Sequence, residues 1–240
     1  MDYSLIMYSH SSYSDAWKMF IQQTDKFFPS SLKRYVFIDE DKNNIVPSHW
    51  KKILYKDTDT YNERVRECLE QVETDYCIFH HEDMPLYSAP DLKFIENTKK
   101  LMIEKNIDYT KLIKGGEDRD IPFEDHKGLF VIPDNSNFLF AVQPSIWNTK
   151  RLKEVYSHCY VNHIREFEPK AQFISRWLKI KGLYCYNGEE KRGLYHWDSL
   201  VYPYVATAIV KGKWNTSGYE KELNNLLCEY DIDKNIRGCV

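Results

Sequence analysis

The sequence predicts an α/β fold, with a central sheet of mostly parallel strands and helices on both faces. Three observations predict it. Short apolar runs alternate with amphipathic helical stretches through the first third of the chain. Two of those runs stop at acidic residues, Asp39-Glu40 and Glu82-Asp83, and ligands bind outside the carboxyl ends of parallel strands. No repeat or low-complexity linker divides the 240 residues. A single compact domain (1–240) is expected, a first half to about residue 85 and a second half, 86–240, that covers the strand ends.

Each element has a local reason. YSLIMYS, Tyr3 to Ser9, is an apolar opening strand. DAWKMFIQQTDKFF follows as a helix, with Trp17, Phe20, Ile21 and Phe28 on one face and Ser14 or Asp15 as N-cap. RYVFIDE and KKILYK are the second and third strands. In TYNERVRECLEQVET, Tyr61, Val65, Cys68, Leu69 and Val72 recur at helical spacing. DYCIFHH is the fourth strand. This order, strand, helix, strand, strand, helix, strand, is Rossmann-like. After Pro85, DLKFIENTKKLMIEKN reads as a helix and GGEDRDIPFEDHKG as a polar loop. LFVIPD and FLFAVQPSIW read as strands, NTKRLKEVYSH and PKAQFISRWLKIKG as helices. Residues 195–233 read as an aromatic strand, a Lys211-Gly212-Lys213-Trp214 corner and a closing helix.

Composition excludes several function classes. A net charge of -3 with dispersed lysines and arginines gives no basic stripe, so no nucleic-acid partner is expected. No apolar run approaches a membrane span. The N-terminal MDYSLIMYSHSS lacks the basic and apolar regions of a signal peptide. The six cysteines have no metal-ligand spacing and read as reduced, mostly buried thiols, so a cytoplasmic location is expected. The G-x-G-x-x-G fingerprint, the P-loop and the G-x-S-x-G elbow are absent.

The informative stretch is DYCIFHHEDMPLY, Asp75 to Tyr87. An apolar strand ends in His80, His81, Glu82 and Asp83 before Met84 and Pro85 turn the chain. Adjacent side chains on a strand face opposite sides, so a zinc site using both imidazoles is disfavoured. Oxygen ligands at a strand end suit a divalent cation that retains water and binds a diphosphate.

In this order the features resemble a GT-A fold glycosyltransferase, the nucleotide-sugar-dependent type. In that family a strand ends in Asp-x-Asp, which holds Mn²⁺ or Mg²⁺ on the donor diphosphate. His81-Glu82-Asp83 occupies those positions, with His81 in place of the first Asp. The resemblance implies a single GT-A type domain, residues 1–85 forming its nucleotide-binding half and 86–240 its acceptor-side half. It implies metal contacts from Asp83, His81 and His196. YSHSSYSDAW resembles the opening loop that cradles the nucleoside, which implicates Ser9, His10 and Ser11, with Asp39 and Arg64 nearby. VKGKWN resembles a C-terminal return that sets Lys211 and Lys213 against the diphosphate. FAVQPSIWNTKRLKEV resembles the segment lining donor sugar and acceptor, implicating Gln143 and Trp147, and Glu82 is placed with them. HIREFEPKAQFISRW resembles the segment where inverting members place a general base, Glu168 or Glu166. Pro169 is expected to open the helix after Glu168, whose dipole would keep that carboxylate ionised.

The implied activity is transfer of a sugar from a UDP- or GDP-sugar to a hydroxyl of a glycan or related acceptor, metal-assisted and inverting. The alternative is a non-catalytic nucleotide-sugar or glycan-binding module of the same fold. A nucleotidyltransferase would want a Gly-rich, basic signature after the first strand, and SHSSYSD lacks it.

Overall fold

The structure, a computed structural model, describes residues 3–116, 119–161 and 164–240. Glu117 and Asp118 of the expected polar loop, and His163 at the start of HIREFEPKAQFISRW, lie outside the described residues.

Four strands of the first half, β1 (Tyr3–Tyr8), β2 (Lys33–Ile38), β3 (Lys51–Leu54) and β4 (Tyr76–His81), continue into five from the second half. These are β5 (Tyr109–Lys111), β6 (Ile121–Pro122), β7 (Leu129–Ile132), β8 (Ser145–Asn148) and β9 (Gly182–Cys185). Together they form one sheet in the order β3-β2-β1-β4-β8-β5-β9-β7-β6. The pairs β1–β2, β2–β3, β1–β4 and β5–β9 are parallel. The pairs β4–β8, β5–β8, β7–β9 and β6–β7 are antiparallel. Traced across the sheet, every strand except β7 and β8 runs the same way, which is the mostly parallel α/β sheet expected.

Period-two alternation assigns the two faces. Tyr3, Leu5 and Met7 of β1 pack with helices α1 (Ser14–Phe27), α3 (Leu92–Lys105) and α6 (Glu220–Glu229). Ile6 and Tyr8 of the same strand pack with α2 (Tyr61–Leu69), α4 (Thr149–His158) and α5 (Ile164–Trp177). Helix entries carry the expected chemistry. Glu63 accepts the Thr60 amide at 2.9 Å to open α2. Asp91 accepts from the Phe94 amide at 2.9 Å to open α3, and Asn148 from the Arg151 amide at 3.1 Å to open α4.

Five local expectations differ from the structure. The stretch expected as a polar loop, GGEDRDIPFEDHKG, contains the edge strand β6, paired with β7. FLFAVQPSIW becomes a strand only from Ser145. Its first part is a loop whose backbone bonds to side chains instead: Gln172 Oε1 accepts the Phe140 amide at 2.8 Å and Glu168 Oε1 the Val142 amide at 2.7 Å. Helix α5 is under way by Ile164, so Pro169 lies inside it. The aromatic stretch from Tyr195 is irregular chain, exposed at Tyr195 and buried from Val201 to Ala206, with an isolated bridge from Tyr204 to Leu86 in place of a strand. The Lys-Gly-Lys-Trp corner is a hairpin of β10 (Ile209–Val210) and β11 (Lys213–Trp214). Its two turn residues, Lys211 at φ 51° and Gly212 at φ 78°, have the left-handed backbone of a tight I′ connection.

Candidate functional site

The parallel register sets Tyr8 beside Phe37 on one side and His81 on the other, and Ile38 beside Leu54. The residues that follow β1, β2, β3 and β4 therefore emerge at one edge of the sheet. At its outer part Asp39 holds the loop after β1. Its two oxygens accept from the Ser11 amide and the Ser11 hydroxyl, both at 2.6 Å. Burial pushes the Asp39 carboxyl up, but the bonds from Ser11 outweigh it and hold the group below the usual carboxylate range. His10 Nδ1 accepts the Ser12 amide at 3.0 Å, so Nε2 carries a proton. Nε2 faces Asp57 at 3.2 Å and Asp39 at 3.5 Å. Ser9 is buried between Trp17, whose indole donates to its hydroxyl at 2.6 Å, and Tyr55, whose hydroxyl donates to its carbonyl at 2.8 Å. Arg64 lies over the Tyr55 ring, 5.2 Å from its centroid, and pairs with Asp57 at 2.9 Å. Ser9, His10, Ser11, Asp39 and Arg64 are thus brought together.

At the tip of β4 the imidazoles do separate to opposite faces. His80 Nδ1 lies 3.3 Å from the Ile6 carbonyl and Nε2 bonds the Tyr202 hydroxyl. His81 Nε2 bonds the Tyr61 hydroxyl at 3.1 Å on the other face. Burial pushes both down, His80 to about 3 and His81 to about 4, so both are neutral packing groups. Glu82 and Asp83 follow, and burial together with their mutual repulsion holds this pair of carboxyls well above the usual range. Glu82 bonds the Ser9 hydroxyl and feels the charge of Arg237, in helix α7 (Lys234–Arg237). That guanidinium pairs with Asp15, donates to the Gly212 carbonyl at 3.0 Å and to the Ser12 carbonyl at 3.2 Å, and covers the Tyr13 ring. No sequence signal singled out Arg237; its place depends on the last helix folding back over the loop after β1.

Beside this tip opens a cavity of about 960 Å³. Asp83, His81, Gln143, Glu168 and His196 all line it. Two of these carry buried polar atoms with no hydrogen-bond partner among the described residues, Gln143 Oε1 and His196 Nε2. Each also rests over a glycine. A Cβ on Gly115 would stand 2.3 Å from Gln143 Oε1, and one on Gly193 would stand 2.1 Å from the His196 ring. The His196 ring stacks on Tyr219 at 5.7 Å and 19°, and burial lowers its basicity. The two glycines were not read as site residues, because their role is to leave room for side chains distant in sequence.

Other expected residues lie elsewhere. Trp147 is a core residue rather than a donor or acceptor contact: it is 2% exposed and stacks on Tyr109 at 4.2 Å and 9°. Its neighbour Ile146 faces the opposite side of the sheet. Lys211 and Lys213 are exposed on the hairpin and do not line the cavity. Glu168 lines the cavity from within the second turn of α5, so its position is not a helix N-terminus; Glu166 holds the first turn, exposed and outside the lining. Among the described residues no group of three or more His, Cys, Asp or Glu is arranged to hold a metal ion. The tip still has the chemistry for one in part: buried Glu82 and half-buried Asp83, with raised affinity for protons, are oxygen donors that a dication would satisfy. The His81 nitrogen bonded to Tyr61 is not a free ligand.

Sheet order, two-faced helical cover and a ligand-sized cavity at the strand ends define a GT-A-type α/β fold. The solved structures most like it include Staphylococcus aureus TarS residues 1–349, at TM-score 0.54 and 14% identity, covering 99% of this chain and 68% of that one. The same protein in complex with UDP aligns at TM-score 0.53 with the same identity and coverage. At such identity the likeness concerns the fold. No family model matches the chain, and no curated protein matches it.

Proposed function

We propose that the chain is a glycosyltransferase that moves a sugar from a nucleoside diphosphate donor to a hydroxyl acceptor. The observation that supports this best is the meeting, at one sheet edge, of the polar loop held by Asp39 and a cavity lined by Asp83, with Glu82 bonded to Ser9 between them. The donor base and ribose would sit against Ser9 to Ser11, Asp39 and Arg64. The diphosphate would reach Asp83, and the sugar would enter the cavity. Mn²⁺ or Mg²⁺ held by Asp83 and Glu82 with the donor's own oxygens would neutralise the leaving diphosphate.

Within the cavity the chain's own groups suit the remaining tasks. Glu168 has one oxygen fixed by the Val142 amide, leaving the other to take the proton of the attacking hydroxyl, as an inverting transfer requires. Gln143 Oε1 and His196 Nε2, unpartnered and aimed by packing rather than by hydrogen bonds, would read hydroxyls of the donor sugar or acceptor. A GDP- rather than UDP-sugar, and a glycan rather than a smaller acceptor, both fit the same arrangement.

Calorimetric titration of UDP and GDP with and without Mn²⁺, followed by a donor-hydrolysis assay, tests the reading. Metal-dependent binding of one nucleotide with slow hydrolysis of its sugar is expected. Absence of binding to either nucleotide sinks it. A second reading, a nucleotide-sugar-binding module without turnover, is favoured by one observation: His81, at the first motif position, is engaged by Tyr61 instead of offering a carboxylate. Binding with no hydrolysis and no transfer would select it.

A further inference from the structure

Part of the cavity lining has a chemistry that a plain sugar does not call for. Four large apolar side chains lining it are open to solvent: Leu194 is 72% exposed, Phe173 66%, Tyr195 56% and Ile164 37%. Solvent-facing apolar groups scattered singly are ordinary, but a cluster around one cavity marks a binding surface. Two arginines share this wall. Arg165 and Arg176 both line the cavity from the same face of α5, with Phe173 between them. They stand about 16 Å apart along the helix axis. Neither is paired with a carboxylate among the described residues; the Arg176 guanidinium donates to the Ser136 carbonyl at 2.9 Å and to the Asn137 side chain at 3.2 Å. Among the described residues the carboxylates on the cavity are Asp83, at the strand tip, and Glu168, held by Val142.

We propose that the acceptor is an anionic amphiphile, a hydroxyl-bearing head joined through a phosphate to an apolar chain. The inference rests on the glycosyl-transfer reading of the same cavity. The head enters towards Glu168 and Asp83. The phosphate is met by one of the two guanidinium groups, whose fork suits phosphate oxygens, and the other adds long-range attraction. The apolar chain lies over Phe173, Leu194 and Tyr195, whose exposure it removes. Charge supports the anion: among the described residues Arg165 and Arg176 are the only lysine or arginine side chains that line the cavity.

Calorimetry with octyl phosphate, below the concentration at which it forms micelles, tests the idea against inorganic phosphate and octyl glucoside. Octyl phosphate is expected to bind at least ten times more tightly than either control, and to bind equally well when UDP is already present. Exchange of both guanidinium groups, Arg165→Gln with Arg176→Gln, is expected to erase its advantage over octyl glucoside. Phe173→Ser with Leu194→Ser is expected to erase its advantage over inorganic phosphate. Both double variants should keep UDP affinity, which reports an intact donor side. Equal binding of octyl phosphate and either control by the unmodified protein overturns the proposal, as does displacement of octyl phosphate by UDP. Failure to bind UDP or GDP at all counts against glycosyl transfer and is read separately from these comparisons. If the compounds bind only without preference, the exposed apolar wall has no amphiphile to recognise.

Discussion

Asp83 lines the cavity at the end of β4 with its carboxyl raised by burial, so a neutral side chain of the same shape relieves a desolvated charge. Asp83→Asn is therefore expected to keep or raise the melting temperature without metal, and to lose most Mn²⁺-dependent nucleotide binding. Turnover should fall by roughly a hundredfold, the scale of one lost electrostatic stabiliser. A variant that unfolds would show a structural role instead. His196 allows a subtler test. Gly193→Ala puts a methyl group where the ring lies, so the imidazole must move while its chemistry is unchanged. Transfer should drop about tenfold or more with UDP affinity kept; unchanged transfer would remove His196 from the site. Lys111, buried at the end of β5, gives the pH dependence. Burial pushes its ammonium down to about 7, against a smaller upward pull from Glu168. Between that value and the ordinary lysine range the unfolded chain binds the proton that the folded one has released, so Lys111 makes stability rise with pH. The wild type should gain melting temperature relative to Lys111→Met from pH 7 to pH 10; parallel curves would show that the ammonium does not titrate there.

Helix α5 shows where sequence periodicity was sufficient and where it failed. Phe167, Ala171 and Ile174 form a buried stripe whose spacing reads directly as a helix face. Its start was misplaced because a proline is taken as a first-turn residue, whereas Pro169 here stands one turn further in and leaves the Arg165 carbonyl without its helical donor. Arg165 and Pro169 both line the cavity. Pro169→Ala restores the bond and should stabilise the helix by about 1–3 kcal/mol, given the usual interior cost of proline. A lower melting temperature on differential scanning would show instead that the ring packs a gap no smaller side chain fills. The same limit explains the loop before β8. FLFAV has strand-like apolarity, but its amides are taken by Gln172 and Glu168 from α5, partners that no local pattern reveals. By contrast His80 and His81 were legible as opposite-facing, because strand alternation is a strictly local rule.

Strands β1, β2 and β4 were readable because each holds a compact apolar run, and helices α1 and α2 carry the chain back between β1 and β2 and between β3 and β4, as parallel order requires. The second half was less readable, since its strands are two to four residues long and two run against the rest. What joins the halves is non-local: β4 pairs with β8 from Tyr76–Asn148 to Phe79–Ser145, and Ile78 of β4 shares a cluster with Ile146 of β8 and Leu183 of β9. The far end of the chain closes the same edge, with Arg237 bonded to Ser12 and Asp15 beside the first strand. Two halves built on one continuous sheet should not melt independently, because separating them exposes the β4–β8 ladder and apolar residues on both faces. Calorimetric unfolding is therefore expected to give a single transition whose enthalpy matches the van't Hoff value. Ile146→Ala, which hollows the seam between β4 and β8, should lower that transition by about 2–4 kcal/mol in stability without splitting it. Two resolved transitions, or one half persisting in hydrogen exchange after the other has opened, would show that the seam is an interface between separately folding units.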